Sequence, residues 1–489
     1  MVSDRVFGKL FINGEFVAST GTDTLPVIDP FDQSVIAQAA DATDNDVHLA
    51  VAAATEAFNG EWRETSAQTR GQILWRIAAA LRERTEELAE LETRASGKPI
   101  ADSESDINDA ATCFEYYGGL ATKLQGDVMS IDGAMVMAVK EPVGVAAQII
   151  PWNYPMMMAA WKLAPALCAG CTVVLKPSEE TPLSIMAVAE SFADAGLPAG
   201  VVNIVTGRGE RAGAALVEHP DVHKIAFTGS GEVGAHIMAR AAKSLKRVTL
   251  ELGGKSPNII CADANFEAAI DGALFGIFLN SGQMCSAGSR ILVERSIYDR
   301  VIEAMIERVK DLKIGAPMDP ETQMGPLISQ RHFDRVRAYQ ELGKKEARLV
   351  LGGNRATGPG LDKGWFVEPT IFADVSNESR IAREEIFGPV ACVMPFDSDD
   401  EALEISNDTS FGLAAAVWTR DVFRGLRFTR RLRAGTVWVN HSQPAPVEGP
   451  WGGFKQSGLG RELGRWGADA YLETKQIYLN TEDTPIGWP

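Results

Sequence analysis

Between residues 140 and 252 the chain alternates strand-like and helix-like segments, and no other feature narrows its possible folds as much. Residues 143–150 read as an apolar strand and 156–168 as a helix. Residues 172–176 are strand-like and 181–195 helical, 201–205 strand-like and 209–217 helical, 223–228 strand-like and 231–244 helical. Residues 247–252 close the series as a strand. Strands separated by helices run parallel, because a long crossover returns the chain to the same end of a sheet. The expected fold class is α/β, with a doubly wound parallel sheet and ligands at the carboxyl ends of its strands. A second alternating region follows from about 254 to 450. Residues 50–58 and 72–95 carry apolar side chains at helical spacing, and 476–479 is strand-like within an extended C-terminal arm.

Composition excludes several classes of function. A chain of 489 residues with 45% hydrophobic and 23% charged side chains is that of a folded globular protein of two or three domains. Its net charge of −18 argues against nucleic acid or an anionic membrane as partner. No apolar run is long enough to span a bilayer, and the first residues lack a basic-then-apolar signal pattern, so a cytoplasmic location is expected. Six cysteines in a chain of this length do not form a disulfide framework. Cys168 and Cys171 form a Cys-x-x-Cys pair, but no second Cys or His pair completes a metal site, and a structural role is expected. His219 and His223 are four apart, with Pro220 spoiling a helical presentation. No metal is expected.

Gly229, Gly231 and Gly234 form a Gly-x-Gly-x-x-Gly pattern between a strand and a helix. Glycines there let a pyrophosphate approach the backbone, and the helix N-terminus favours its charge. The usual acid at the ribose would then be Glu251, twenty residues beyond Gly231. Three further segments speak against that assignment. Pro151-Trp-Asn-Tyr-Pro155 holds an amide, Asn153, in a rigid turn. Glu251-Leu-Gly-Gly-Lys-Ser-Pro257 places a carboxylate at a strand end. Asn280-Ser-Gly-Gln-Met-Cys-Ser-Ala-Gly-Ser289 sets Cys285 among small and polar residues, expected near a helix N-terminus that would favour the thiolate. A thiol, an amide donor and a base are the parts needed to attack a carbonyl carbon.

On these motifs the chain resembles the aldehyde dehydrogenase superfamily, from about Leu10 to Tyr478. The resemblance implies Cys285 as nucleophile, Glu251 as general base, and Asn153 with the Cys285 backbone N–H as oxyanion hole. Glu462, in Gly-Arg-Glu, matches a position tied to proton transfer. The implied cofactor is NAD. Lys176, Ser178 and Glu179 would hold its adenosine ribose, and Gly229, Ser230, Gly231 and Gly234 its pyrophosphate. Glu385 and Phe387 would meet the nicotinamide end, and Ile149, Pro151, Trp152 and Leu252 would complete the wall. The acid at the ribose thus becomes Glu179, whose carboxylate disfavours the 2′-phosphate of NADP. Gly231 departs from the family, which often carries Thr there. The implied domains are a cofactor-binding unit of 1–121 and 140–253, a catalytic unit of 254–452, and an oligomerisation arm of 122–139 with 468–489. The implied assembly is a homodimer or homotetramer.

The implied reaction oxidises an aldehyde to a carboxylic acid through a cysteine thioester. Tyr154, Trp161 and Trp451 match positions that surround a cationic group in betaine- and aminoaldehyde-oxidising relatives, with Met157 and Met284 beside them and Glu448 at the mouth. The same aromatics would equally line a tunnel for an uncharged medium-chain or aromatic aldehyde. Leu279, where plant relatives of that group carry an aromatic, leans that way. A thiol-dependent esterase and a non-catalytic structural protein are the alternatives of other classes.

Overall fold

Five parallel strands form the centre of an eight-stranded sheet. In spatial order they are Arg247–Glu251, Lys224–Thr228, Val145–Ile149, Thr172–Lys176 and Val202–Ile204. The computed structural model describes residues 7–483 and 485–488. Val145–Ile149, Thr172–Lys176 and Lys224–Thr228 are buried along their whole lengths, as covered parallel strands must be. Strand order reverses between Val145–Ile149 and Lys224–Thr228. At such a reversal the two flanking connections leave in opposite directions and open a crevice. Antiparallel strands Leu10–Ile12 and Glu15–Val17 extend one edge, and Gly458–Leu459 pairs with Arg247–Glu251 at the other.

The second sheet has six parallel strands, with Arg348–Leu351 antiparallel at one edge. The order continues Thr370–Ala373, Val390–Phe396, Arg290–Glu294, Pro257–Ile260, Ala414–Trp418 and Thr436–Val439. The chain passes from the first sheet to the second through residues 252–256, immediately after Glu251. A third, antiparallel sheet joins Asp127–Ile131, Ala134–Pro142 and Leu472–Asn480. Its C-terminal strand is longer than the 476–479 expected. Val128, Ile131, Tyr478 and Leu479 on this sheet are each at least half exposed.

Three helices depart from expectation. The 72–95 pattern is broken at Arg84 (φ −108°, ψ 16°) into Ala67–Glu83 and Thr85–Ser96. The Arg84 guanidinium is held by Glu87, the Ala187 carbonyl and Ser191, contacts that local apolar spacing does not encode. The 181–195 segment forms two short helices, Leu183–Val188 and Glu190–Asp194. Residues 209–217 open with a wide turn, Gly209–Gly213, before the helix Ala214–Glu218. Among the described residues no helix is long and apolar enough to cross a membrane, and no cluster of three or more His, Cys, Asp or Glu side chains is arranged to hold a metal.

Candidate active site

One cleft of about 1780 Å³ runs from Lys176 and Glu179, past Ser230, to Cys285 and on to Trp451. The carboxyl ends of the first sheet supply its upper part. Lys176 ends one strand, its buried ammonium held by the Pro177 carbonyl at 2.9 Å and by the half-exposed Glu179 at 3.3 Å. Ser178 is buried beside it. Ser230 caps the helix Gly231–Ala241, accepting from the Val233 N–H. The glycines of this turn differ in what they do. A methyl on Gly229 would strike the Phe227 ring, and one on Gly234 the Leu252 side chain, whereas one on Gly231 would meet nothing within 4 Å. Gly229 and Gly234 permit close packing, while Gly231 leaves open space beside the helix N-terminus. Ile149, Pro151 and Trp152 continue the wall from the central strand.

The second sheet reaches the cleft with its amino ends. Glu385 and Phe387 precede the strand Val390–Phe396, and Cys285 precedes Arg290–Glu294. The Glu385 carboxylate accepts from the Gly254 N–H at 2.9 Å. Phe387 sits at φ +63°, a conformation that bulky residues avoid. Its ring stands edge-on to Trp152 at 5.3 Å, and its carbonyl accepts 2.7 Å from His332 Nε2. Burial lowers His332 to about 4, so the neutral ring donates. His332 has no signal in the sequence, where it is one histidine in an amphipathic helix.

Cys285 is not at a helix N-terminus, contrary to expectation. It follows a short 3-10 turn, Leu279–Gly282, in which Asn280 and Ser281 both have left-handed backbone. The thiol is pushed up to about 12 by burial first, then by Glu385 and Glu251, with the backbone N–H groups of Ser286 and Cys285 opposing. The resting group is therefore a thiol. Asn153 is buried, and its Nδ2 donates to the Gln283 carbonyl at 2.8 Å while Asn280 donates to its own carbonyl. An amide nitrogen carries two hydrogens, so one fixes the group and the other stays free.

Glu251 is buried with neither carboxylate oxygen hydrogen-bonded. Burial holds it well above the usual carboxylate range, and nearby Glu462 raises it further. Glu462 is bonded at 2.6 Å by Lys162, which also reaches Thr228 at 2.6 Å. Lys162 lies on the inner face of the helix Pro155–Ala169, in an apolar stretch that gives no hint of an ion pair.

Trp161 and Trp451 also line the cleft, their rings meeting edge-to-face at 5.6 Å, with Trp438 packed on Trp451 at 6.4 Å. Met157, Met284 and Leu279 line the same region, and exposed Glu448 stands at its mouth. Tyr154 is a different case, because the Lys98 ammonium lies 4.0 Å from its ring centroid. One face of that ring is thus taken by the protein's own cation. The lining is also acidic, with Asp102, Asp106 and Asp109 of the helix Ile100–Leu120 at the cleft. Their spacing of four and then three residues marks a single helical face and is the signal that could have found them.

A thiol, an amide with a spare hydrogen and a buried carboxylate thus line one long cleft. The aldehyde dehydrogenase family model matches residues 16–477. The chain belongs to this family. It is 45% identical over 483 residues to a betaine aldehyde dehydrogenase of Bacillus subtilis, covering 98% of this chain and 99% of the relative. It is also 45% identical over 476 residues to an aldehyde dehydrogenase of Aspergillus niger, covering 97% and 95%. A solved betaine aldehyde dehydrogenase of Staphylococcus aureus in complex with NAD+ superposes with a TM-score of 0.96 at 43% identity, over 98% of this chain and 96% of that one. Equal likeness to family members of different names leaves the substrate to the cleft itself.

Proposed function

We propose that the protein oxidises a small cationic aldehyde, betaine aldehyde or an aminoaldehyde, to its carboxylic acid with NAD. The acidic lining of Asp102 and Asp109, beside Asp106 whose charge is paired with Lys98, carries this reading. It lines the same cleft as the Trp161–Trp451 pair and Cys285. Indole faces attract a quaternary ammonium, and carboxylates near the passage favour its approach.

The residues fit a dinucleotide. Gly231 offers open backbone at a helix N-terminus, Lys176 and Glu179 stand where a ribose would lie, and Phe387 with Trp152 forms an aromatic corner at the far end. When bound, NAD accepts the hydride that leaves the aldehyde carbon. The chain's own groups do the rest. Cys285 Sγ adds to the carbonyl carbon as its proton passes to water in the cleft. The oxyanion is stabilised by the free Asn153 Nδ2 hydrogen and the Cys285 N–H. Loss of hydride leaves a thioester on Cys285. Glu251 then takes a proton from water, whose oxygen displaces the sulfur and releases the acid. Glu462 and Lys162 extend the route along which that proton leaves. The segments implied by the resemblance would share this work, the cofactor-binding unit supplying Asn153 and Glu251 and the catalytic unit Cys285. The arm, with its exposed apolar side chains, pairs with a second copy in a dimer or tetramer.

The deciding experiment is NADH formation from betaine aldehyde against 3,3-dimethylbutanal, which replaces the ammonium nitrogen by carbon at nearly the same shape. We expect kcat/KM to favour the cation by about tenfold or more. Equal rates, or preference for the carbon analogue, would reduce the aromatic pair to an apolar tunnel and overturn the cationic substrate.

A further inference from the structure

The turn that presents Asn153 is fastened from two sides. The Cys285 loop grips Asn153 itself, through Gln283 and Asn280. The other grip comes from residues to which the reaction above gives no role. Asn153 lies two residues before the helix Pro155–Ala169, whose cap residue Tyr154 makes no side-chain cap bond. Pro155 has no N–H, so the first orphan donor of the helix is Met156 N. It donates at 3.1 Å to Glu92 Oε2, from a helix 64 residues earlier in the chain. The same oxygen accepts from Ser184 Oγ at 3.1 Å, and the other oxygen faces Lys98 Nζ at 3.6 Å. Lys98 is fully buried, pairs with Asp106 as well, and carries its ammonium over the Tyr154 ring. Residues on both sides of the Asn153–Met156 turn are therefore held by one buried ion pair.

A buried ion pair is a poor source of stability, because desolvating both charges consumes most of their attraction. It is a good source of geometry, because each partner has one place to go. Here the carboxylate stands at a helix N-terminus, where the helix dipole favours negative charge, and the ammonium is confined between two carboxylates and an aromatic face.

We propose that Glu92, held by Lys98, is a positioning residue for the oxyanion amide. By anchoring the first turn of the Pro155–Ala169 helix, it fixes the backbone from which Asn153 points its free hydrogen at the reacting carbonyl. A small displacement of that hydrogen weakens oxyanion stabilisation without altering cofactor or aldehyde binding. The inference rests on Asn153 as the oxyanion donor.

The test is a double-mutant cycle on the full-length enzyme with NAD, reading kcat and both KM values. Glu92→Gln offers one acceptor oxygen where Met156, Ser184 and Lys98 require two, and should lower kcat by about tenfold with both KM values within about twofold. In an Asn153→Ala background the same change should cost less than about twofold, because the group it positions is gone. Should Glu92→Gln fail to fold, Ser184→Ala removes a single hydroxyl from the carboxylate and is read in the same way, with an expected loss of about threefold. Equal losses with and without Asn153, or no loss in kcat, overturn the positioning role alone. An Asn153→Ala enzyme that keeps its rate overturns the oxyanion reading, and the positioning role with it.

Discussion

The two large sheets meet the cleft with opposite ends. The first presents the carboxyl ends of Val145–Ile149, Thr172–Lys176 and Lys224–Thr228, and the second the amino ends of Val390–Phe396 and Arg290–Glu294. At the first edge the turns follow the rule for open α/β sheets, with glycines where backbone must pack closely and a serine capping a helix. At the second edge the loops rely on unfavourable backbone. Asn280, Ser281 and Phe387 all have positive φ, held by bonds such as Asn280 to the Asn153 carbonyl and His332 to the Phe387 carbonyl. Such conformations persist only where the surroundings over-determine them, and they collect at functional sites. A regular edge suits a long cofactor that must be held, while a strained edge aims the groups that react.

The largest test of this contrast falls on the second edge. Cys285→Ala should abolish aldehyde oxidation by about ten-thousandfold or more while NAD still binds to the first edge, as fluorescence titration would report. Retained turnover would remove Cys285 from the chemistry. Next comes Glu251, where the first sheet ends. Glu251→Gln should lower steady-state kcat by about hundredfold. The first turnover of NADH should survive as a burst, because the thioester still forms. The native pH profile follows from the same carboxylate. Its range is raised, so the base form accumulates as pH increases, and kcat should still be climbing above about pH 6, where an ordinary carboxylate would have levelled off. Glu462→Gln removes one cause of the shift and should move that rise to lower pH. A profile already flat at pH 6 would show that Glu251 is not the limiting base.

Smaller effects are expected on the first edge. Glu179→Ser should shift the NAD-to-NADP ratio of kcat/KM toward NADP by about tenfold, and an unchanged ratio would show that the ribose is read elsewhere. Smallest of all, Gly231→Thr points a side chain into open space and should leave KM for NAD within about twofold. A large rise there would mean the phosphates lie against Gly231 itself.

The same division decides how much was legible in the sequence. The strand Thr172–Lys176 appears at its expected boundaries, because a β-branched run between a glycine and a proline leaves little freedom. Cys285, Glu251 and Asn153 stand out because their motifs are local. The surroundings of Cys285 do not. Its setting depends on left-handed Asn280 and Ser281, stabilised by contacts from 127 residues away. Lys98, Lys162 and Glu92 are equally hidden, since each reads as an ordinary loop or helix charge until a distant partner buries it. Asp102, Asp106 and Asp109 were readable in principle as one acidic helix face, but only the fold shows that this face looks into the cleft rather than into solvent.

The third sheet carries a consequence of another kind. Leu472–Asn480 is an edge strand with Ile477, Tyr478 and Leu479 uncovered, and Asp127–Ile131 at the other edge exposes Val128, Met129 and Ile131. If a second copy covers these side chains, folding and assembly share one equilibrium, and the law of mass action enters the melting curve. Dilution alone would then destabilise the enzyme, and its melting temperature would climb with protein concentration.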